Sequence, residues 1–275
     1  MFAVVFAMLI EGLSGGQDSR FSAAEAYERF MGRWSRLVAP DFLAWLDISP
    51  GARWADVGCG TGALSAAVLG HTSPASVLGV DPSQGQVDEA RRQVVDGRVR
   101  FETGTAESLP ADSFEVVVSG LVLNFVPDPV TAVAAMSRAS RPGGTVAAYV
   151  WDYASGMQLL RTFWEVAVAR DPAVADLHEG HRFQLASHAA LASIWESAGL
   201  RAVATTAITV PTVFEDFEDY WQPFLGGQGP GPAYVASLGA VDRKELRAAL
   251  VQALPTEPDG RILLTARAWA IRGVS

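Results

Sequence analysis

Apolar and polar residues follow two rhythms through the middle of the chain. Short apolar runs predict strands, and longer stretches with apolar residues three or four apart predict helices. Strands are predicted at 53–57, 76–80, 99–102, 114–119 and 145–150, and helices at 64–69, 87–95 and 130–140. Arg141-Pro-Gly-Gly144 predicts a sharp turn before the fifth strand. Such alternation is typical of a parallel sheet with helices on its faces.

The rhythm differs at both ends of this region. Residues 22–46 have a helical pattern that Pro40 is expected to interrupt. Residues 151–186 hold one predicted helix, at 157–168, and a polar stretch without strand signal. Residues 214–254 form a second irregular insertion, which is aromatic early and rich in glycine and proline later.

The alternation resumes between the insertions and after the second one. A helix is predicted at 188–198, where Gly199 ends it, and strands are predicted at 201–210 and 262–272. The economical interpretation is one doubly wound α/β domain over residues 22–275. Residues 1–21 are then an N-terminal extension that is flexible or forms an interface.

Composition narrows the class of protein. Of the 275 residues, 49 % are apolar, so the chain can bury a sizeable core, and its formal net charge is −9. This charge argues against nucleic acid and anionic membranes as partners, because both attract basic surfaces. The single cysteine, Cys59, rules out an intrachain disulfide and is compatible with the cytoplasm. The apolar residues 1–10 are too few to span a bilayer and lack the basic start of a secretory signal.

A glycine-rich turn follows the first predicted strand. Asp56 is followed by Gly58, Gly60 and Gly62 at alternate positions, and then by a predicted helix. Glycine allows a tight turn and a close approach of the backbone to a ligand, and the N–H groups that begin a helix attract its polar parts. Asp81, at the end of the second strand, is placed to accept both ribose hydroxyls. The spacing differs from the Gly-x-Gly-x-x-Gly of dinucleotide sites, and Asp56 would repel a pyrophosphate.

With these motifs the chain resembles the class I S-adenosylmethionine-dependent methyltransferases, especially the small-molecule group called type 11. The resemblance is strong over residues 22–152 and loose beyond them. It implies a seven-stranded sheet in the order 3-2-1-4-5-7-6 with strand 7 antiparallel, helical lid insertions, and S-adenosyl-L-methionine as cofactor, with S-adenosyl-L-homocysteine as product. The matching segments are Asp56–Gly62, Asp81, Gly104–Pro110, Ser113–Ser119 and Arg141–Gly144.

The resemblance also implies a set of cofactor-binding residues around the carboxyl ends of the first strands. Thr105 stands where the family often has Asp, so the backbone N–H of Ala106 is expected to serve the adenine instead. Arg33 is the candidate for the cofactor's carboxylate. The full set is Arg33, Asp56, Gly58, Cys59, Gly60, Asp81, Pro82, Thr105, Ala106, Glu107 and Ser119.

The segments 22–46, 151–186 and 214–254 are expected to cover the same edge as a lid. The catalytic candidates are Asn124, Asp152 and His181. The substrate-binding candidates are Tyr27, Trp34, Trp151, Tyr153 and Trp221. No metal is expected, because His178-Glu-Gly-His181 lacks the spacing of a His-Glu-x-x-His zinc motif.

The expected function is therefore methyl transfer, by in-line displacement, to an oxygen, nitrogen or carbon nucleophile of a small, partly apolar molecule. A non-catalytic S-adenosylmethionine-binding module remains an alternative. A nicotinamide-dependent oxidoreductase is a second alternative, although Lys244 is the sole lysine and no Tyr-x-x-x-Lys pair exists. The chain is expected to be a monomer or a homodimer.

Overall fold

The strands of the molecule form one mixed sheet. The computed structural model describes residues 33–178, 180, 183, 185, 187–226 and 229–275. Within these ranges seven strands are present: β1 Arg53–Val57, β2 Ser76–Asp81, β3 Val99–Thr103, β4 Phe114–Gly120, β5 Ser140–Trp151, β6 Arg201–Phe214 and β7 Ile262–Val274. Their order is β3-β2-β1-β4-β5-β7-β6, and β7 runs antiparallel to both neighbours. The predicted doubly wound sheet is confirmed.

Helices cover both faces of the sheet. The α-helices are α1 Arg33–Leu46, α2 Ala63–His71, α3 Gln84–Gln93, α4 Pro129–Ala139, α5 Gln158–Arg170, α6 His188–Ser197, α7 Phe217–Trp221, α8 Pro230–Ser237 and α9 Ala240–Ala253. Short 3₁₀ turns lie at Ala106–Ser108, Leu123–Phe125, Pro172–Leu177 and Gln222–Leu225. None of the described helices is both long and apolar enough to cross a membrane.

Two apolar layers hold the helices against the sheet. One layer contains α1, α2, α5 and the helices of the second insertion, and the other contains α4 and α6. A smaller cluster joins α3 to the glycine turn through Cys59, Val87, Ala90 and Phe101. Strand β1 has only its first residue exposed, as expected for a strand covered on both faces.

Helix α1 corrects the expected break at Pro40. The helix runs without interruption from Arg33 to Leu46 with Pro40 inside it. A proline there costs about 3 kcal/mol by removing a hydrogen bond and crowding the preceding turn. Val38, Phe42 and Leu43 are nearly fully buried, and each large apolar side chain contributes roughly 1.5–3 kcal/mol, which outweighs that cost.

The turn at Arg141–Gly144 lies inside β5, not before it. Ser140 pairs with Phe114, and pairing resumes at Thr145 with Val116, so the four residues between them bulge out of the strand. The bulge is held by the end of the chain, because the N–H of Gly143 donates to the carbonyl of Ser275 at 3.0 Å. This long-range contact explains why a local turn signal gave the wrong strand boundary.

The β6–β7 pair is longer than predicted and extends past the end of β5. Trp151 pairs with Ala268, whereas β7 begins at Ile262, which pairs with Phe214 of β6. The extension includes Pro211, which an edge strand tolerates because its missing N–H would face solvent. The second insertion, with α7, α8 and α9, begins and ends at this extension.

Candidate functional site

The glycine turn connects β1 to α2 at the carboxyl edge of the sheet. The N–H groups of Gly58 and Cys59 both donate to the carbonyl of Val80, at 2.8 and 3.0 Å, which ties the turn to β2. Gly58 has a φ of +72°, and a Cβ there would lie 2.6 Å from the side chain of Val122. Gly60 has a φ of +55°, but the nearest atom to its Cβ position is Gln86 Oε1 at 4.0 Å. The turn is therefore crowded at Gly58 and open at Gly60.

Cys59 contributes its backbone to this turn. Its side chain is buried against Phe101 and α3. Burial raises the pKa of the Cys59 thiol far above its ordinary value, and the nearby carboxyls of Asp56 and Asp81 raise it further. A thiol kept neutral in this way is a packing group, not a nucleophile.

Asp56 lies at the bottom of the turn and is 1 % exposed. Its Oδ2 accepts a hydrogen bond from the hydroxyl of Ser65 on α2 at 2.7 Å. Its Oδ1 has no hydrogen-bond partner among the described residues. Burial raises the pKa of Asp56 to about 7, because a buried carboxylate loses its hydration. A buried acid with one oxygen left over is suited to a cationic ligand group.

Ser65 is not among the site residues predicted from the sequence. A signal for it exists, since Ser65 shares the buried side of α2 with Leu64 and Val68. A buried polar residue in an apolar helix needs a partner, and Asp56 is nine residues earlier in the chain.

Asp81 joins the glycine turn to the start of α3. Its Oδ2 accepts from the N–H of Gly60 at 3.1 Å, and its Oδ1 accepts from the N–H of Ser83 at 2.9 Å. Pro82 lies between Asp81 and Ser83 and is partly exposed. The carboxylate is thus positioned beside the open part of the turn, where the predicted ribose contact would form.

The segment after β3 forms a third wall. Ala106 is buried at the first position of a 3₁₀ turn, where a backbone N–H has no partner within the helix. The carbonyl of Thr105 accepts from both the N–H and the hydroxyl of Ser108, at 3.1 and 2.7 Å. Glu107 is exposed. These positions leave the predicted adenine contact to the backbone of Ala106.

Ser119, at the end of β4, uses its hydroxyl within the sheet. The group is fully buried and donates to the carbonyl of Val57 at 2.9 Å. It therefore ties the carboxyl ends of β4 and β1 together. Its predicted contact with the cofactor stays a prediction.

The residues around the glycine turn fit an aminoacyl nucleoside. The open space at Gly60 suits close approach of a ligand, and the unpartnered Asp56 Oδ1 suits an ammonium group. Asp81 offers carboxylate oxygens for vicinal hydroxyls, and Ala106 offers a backbone donor to a ring nitrogen. The carboxyl of Asp56, at the bottom of this turn, is unfavourable for a pyrophosphate.

The chain bends sharply after β4, next to this turn. Leu121 has a φ of +62°, which is unfavourable for a side chain of its type, and its N–H donates to the carbonyl of Tyr149 at 2.8 Å. Asn124 follows in a 3₁₀ turn, and its Nδ2 donates to the carbonyl of Trp151 at 3.4 Å. Asn124 Oδ1 is buried without a hydrogen-bond partner among the described residues. The strained bend therefore presents an amide oxygen at the ends of β4 and β5.

Asp152 has partners that define its role in the structure. Its Oδ2 accepts from Arg267 Nε at 2.9 Å and from Arg267 Nη2 at 2.5 Å, and its Oδ1 accepts from the N–H of Ser155 at 3.0 Å. Asp152 is 1 % exposed. The carboxylate thus holds a tight turn and neutralises an arginine of β7. Its predicted catalytic role stays a prediction.

Aromatic rings line the ends of β4 and β5. The Phe183 ring lies 5.2 Å from that of Phe125 and 4.5 Å from that of Tyr153. Trp151, two residues before Tyr153, is buried, and its indole N–H has no hydrogen-bond partner among the described residues. The first insertion thereby reaches the end of β4 through Phe183, which the sequence analysis did not single out.

Arg33, Trp34 and Trp221 lie elsewhere. Arg33 Nη1 pairs with Asp219 Oδ1 at 3.0 Å, and its guanidinium lies over the rings of Trp34 and Phe214. Phe214 ends β6, four strands from β1, which is about 19 Å at ~4.8 Å per strand. Trp221 is 3 % exposed and packs against Phe217 and Phe224. The structure does not bring these three residues to the glycine turn.

Two predicted site residues, Tyr27 and His181, lie outside the described residues, as do residues 1–21 and the first part of segment 22–46. Within the described ranges, no cluster of three or more potential metal ligands is present.

Residues 55–148 match a family model described as "Methyltransferase domain". The trans-aconitate 2-methyltransferase of Deinococcus radiodurans is 34 % identical over 127 residues, which are 45 % of this chain and 48 % of that protein. The enzyme of the same name from Methylobacterium nodulans is 26 % identical over 257 residues, 88 % of this chain and 93 % of that protein. The match therefore spans about half of the first relative and most of the second.

A solved structure shares the fold. It is phosphoethanolamine N-methyltransferase 2 of Haemonchus contortus in complex with phosphomonomethylethanolamine and S-adenosylhomocysteine. It has a TM-score of 0.54 at 16 % identity and covers 91 % of this chain and 56 % of that one. At this identity the similarity shows the fold alone.

Proposed function

We propose that the chain, whose residues 55–148 match a methyltransferase domain, is a class I S-adenosylmethionine-dependent enzyme that transfers a methyl group to an oxygen, nitrogen or carbon nucleophile of a small, partly apolar molecule. One observation carries the proposal: the open glycine turn lies between two carboxylates, Asp56 and Asp81, directly beside the strained bend after β4. Cofactor and acceptor sites are thus adjacent.

The mechanism we propose relies on positioning. The bound cofactor supplies a methyl group on a positively charged sulfur, which is a good leaving group for in-line displacement. Holding two reactants in line contributes up to ~7–11 kcal/mol to a reaction of this kind. Asn124 is suited to this task, because the carbonyl of Trp151 fixes its amide and leaves Oδ1 to accept from an O–H or N–H of the acceptor. An amide does not act as a general base at neutral pH, so we assign Asn124 orientation only.

The walls of the acceptor side favour an aromatic or otherwise apolar molecule, neutral or cationic. Phe125, Tyr153 and Phe183 present rings there. The relatives from Deinococcus radiodurans and Methylobacterium nodulans are named for trans-aconitate. This molecule is a tricarboxylate, so a site that binds it needs cationic side chains. In the described part of this chain, Arg267 is neutralised by Asp152, and Arg33 by Asp219. We therefore propose an acceptor different from trans-aconitate.

We further propose that segments 151–186 and 214–254 act as the lid of a single domain. Their helices begin at the carboxyl edge, where Met157 bridges to Ala266 of the extended β7. Phe183 carries the first segment over to Phe125. That the chain is a monomer or a homodimer stays a prediction.

Calorimetric titration with S-adenosylmethionine, S-adenosylhomocysteine and NAD⁺ tests the cofactor part of the proposal. The first two are expected to bind, and Asp81→Ala is expected to weaken both about 100-fold, because charged hydrogen bonds contribute ~1.5–3 kcal/mol each. Binding of NAD⁺ alone, or of none of the three, would overturn the assignment.

An acceptor screen tests the remainder. Formation of S-adenosylhomocysteine is followed with catechols, hydroquinones and aromatic amines, and with trans-aconitate as the competing class. Tyr153→Ala is expected to raise the KM for a productive acceptor at least several-fold. The matched control is Tyr234→Ala, since that half-buried ring packs against Trp164 of α5. Turnover of trans-aconitate alone would refute the proposed acceptor class, and cofactor binding without any product would favour the non-catalytic binding module.

A further inference from the structure

Asp56 and Ser65 form a buried hydrogen-bonded pair that leaves one carboxyl oxygen of Asp56 without a partner among the described residues. Asp56 is 1 % exposed and Ser65 is fully buried, so water does not solvate the carboxyl. Ser65 donates to Oδ2 at 2.7 Å, while Oδ1 has no hydrogen-bond partner among the described residues. Leaving a buried acceptor unpaired is unfavourable, so native structures usually reserve such an atom for a ligand, an ion or water.

The surroundings of Asp56 supply no compensating charge. Asp56 aligns with Gly79 of β2 and Val118 of β4, neither of which is charged. The ionisable group whose charge acts on Asp56 is Asp81, at the end of β2, and the nearby thiol of Cys59 stays neutral. Burial and, to a smaller extent, Asp81 disfavour the ionised form of Asp56, whereas interactions with the hydroxyl and the backbone of Ser65 favour it. The effect of burial is larger than that of Ser65, and the pKa of Asp56 is therefore raised to about 7.

We propose that Ser65 is a positioning residue that holds Asp56 ready to ionise, so that Oδ1 becomes the counter-ion of the cofactor's aminoacyl ammonium and binding releases the Asp56 proton to the buffer. The ammonium keeps its own proton, and the carboxyl loses one, so a neutral acid and a cation become an ion pair. This inference rests on the proposed function, because it takes the cofactor to be an aminoacyl nucleoside. It assigns to Ser65 a role in affinity, beyond packing.

The sign of the pH dependence follows from this exchange. Below pH 7 the ligand must remove a proton from Asp56, so affinity falls as pH falls. The dissociation constant of S-adenosylhomocysteine is expected to be about 10-fold higher at pH 6 than at pH 8. Binding should release close to one proton at pH 6 and close to none at pH 8.

Calorimetry in two buffers of different ionisation heat measures the released proton directly. S-adenosylhomocysteine is the probe, because it carries the aminoacyl group and is not consumed. Methylthioadenosine is the matched ligand, since it has the same nucleoside but no aminoacyl group. It should bind without releasing a proton and with little change between pH 6 and pH 8.

Two variants of Ser65 separate positioning from packing. Ser65→Ala removes the hydroxyl, whose hydrogen bond is the larger of the two Ser65 interactions that favour the ionised form, so the midpoint of the affinity profile should move to higher pH. Ser65→Thr keeps a hydroxyl and should restore the original midpoint. Asp56→Asn should abolish proton release, and thermal unfolding checks that each variant is folded.

The outcomes are distinguishable from a failure of the proposed function. Equal proton release with both ligands, no release with S-adenosylhomocysteine at pH 6, or an unchanged midpoint in folded Ser65→Ala would each overturn this inference alone. Absence of binding by S-adenosylmethionine and S-adenosylhomocysteine at every pH would overturn both proposals.

Discussion

The two halves of the sheet differ in how their buried carboxyls are partnered. From β3 to β4, the carboxyl edge presents Asp56 with an unpaired oxygen and an open glycine turn. From β5 to β6, the buried carboxyl of Asp152 is paired with Arg267, and Asp219 is paired with Arg33, whose Nε and Nη2 have no hydrogen-bond partner among the described residues. A ligand is therefore expected beside Asp56, the buried carboxyl on which no cation acts, and not wherever aromatic and charged residues are most numerous.

The largest expected effect is at the crowded end of the glycine turn. Gly58→Val should destabilise the protein by about 4 kcal/mol or more and abolish cofactor binding, because φ is +72° and Val122 occupies the Cβ space. Gly60→Ala is the control, with about 1–2 kcal/mol from its left-handed backbone alone. Urea unfolding and calorimetric titration measure both quantities. An equal loss in the free energy of unfolding in the two variants would contradict the expected role of packing against Val122.

A change at Asp56 should raise stability while lowering function. The folded-state pKa, about 7, is above the usual value of 3.8, so folding favours the protonated acid and stability falls as pH rises between these values. Asp56→Asn removes this cost and should stabilise the ligand-free protein by a few kcal/mol at pH 8, on the order of 1.36 kcal/mol per pKa unit. At pH 4 the gain should nearly vanish. Thermal unfolding at both pH values checks this, and a gain independent of pH would contradict it.

The paired half should respond in stability first. Arg267→Met leaves the carboxylate of Asp152 buried without its cation and should cost about 2–3 kcal/mol, discounted because the arginine is partly exposed. Cofactor affinity should change less than two-fold. Asp152→Asn is the companion variant: a loss of 100-fold or more in kcat without loss of stability would support the catalytic role predicted for Asp152.

The smallest effect is expected deep in the second insertion. Tyr220→Phe removes the hydroxyl that donates to the carbonyl of Leu159 at 3.0 Å and should cost about 1 kcal/mol. The affinity for S-adenosylhomocysteine should not change. A clear drop in that affinity would show that the lid and the glycine turn are coupled, and would weaken the contrast between the two halves.

Local sequence signals predicted most of the structure from β3 to β4, the half of the sheet that carries the glycine turn. The turn from Asp56 to Gly62 is encoded within a few residues, since only glycine accepts its positive φ angles without strain. The bounds of β1 were predicted as found, and β2, β3 and β4 each differ by one residue at the carboxyl end. Two features were predicted wrongly. The helix continues through Pro40 because its buried apolar face outweighs the local preference of proline. Residues 141–144 form a bulge inside β5, where Gly143 bonds to Ser275.

The sequence by itself determined the alternating elements, the glycine turn, the two acids and, through its resemblance, the order of the strands. Only the tertiary structure decided which side chains meet. It paired Ser65 with Asp56 and Arg267 with Asp152, and it placed Arg33 beside Asp219, four strands from β1. The physical reason is range: backbone preferences act over a few neighbouring residues, whereas the position of a side chain across the sheet depends on strands and helices that pair from far along the chain.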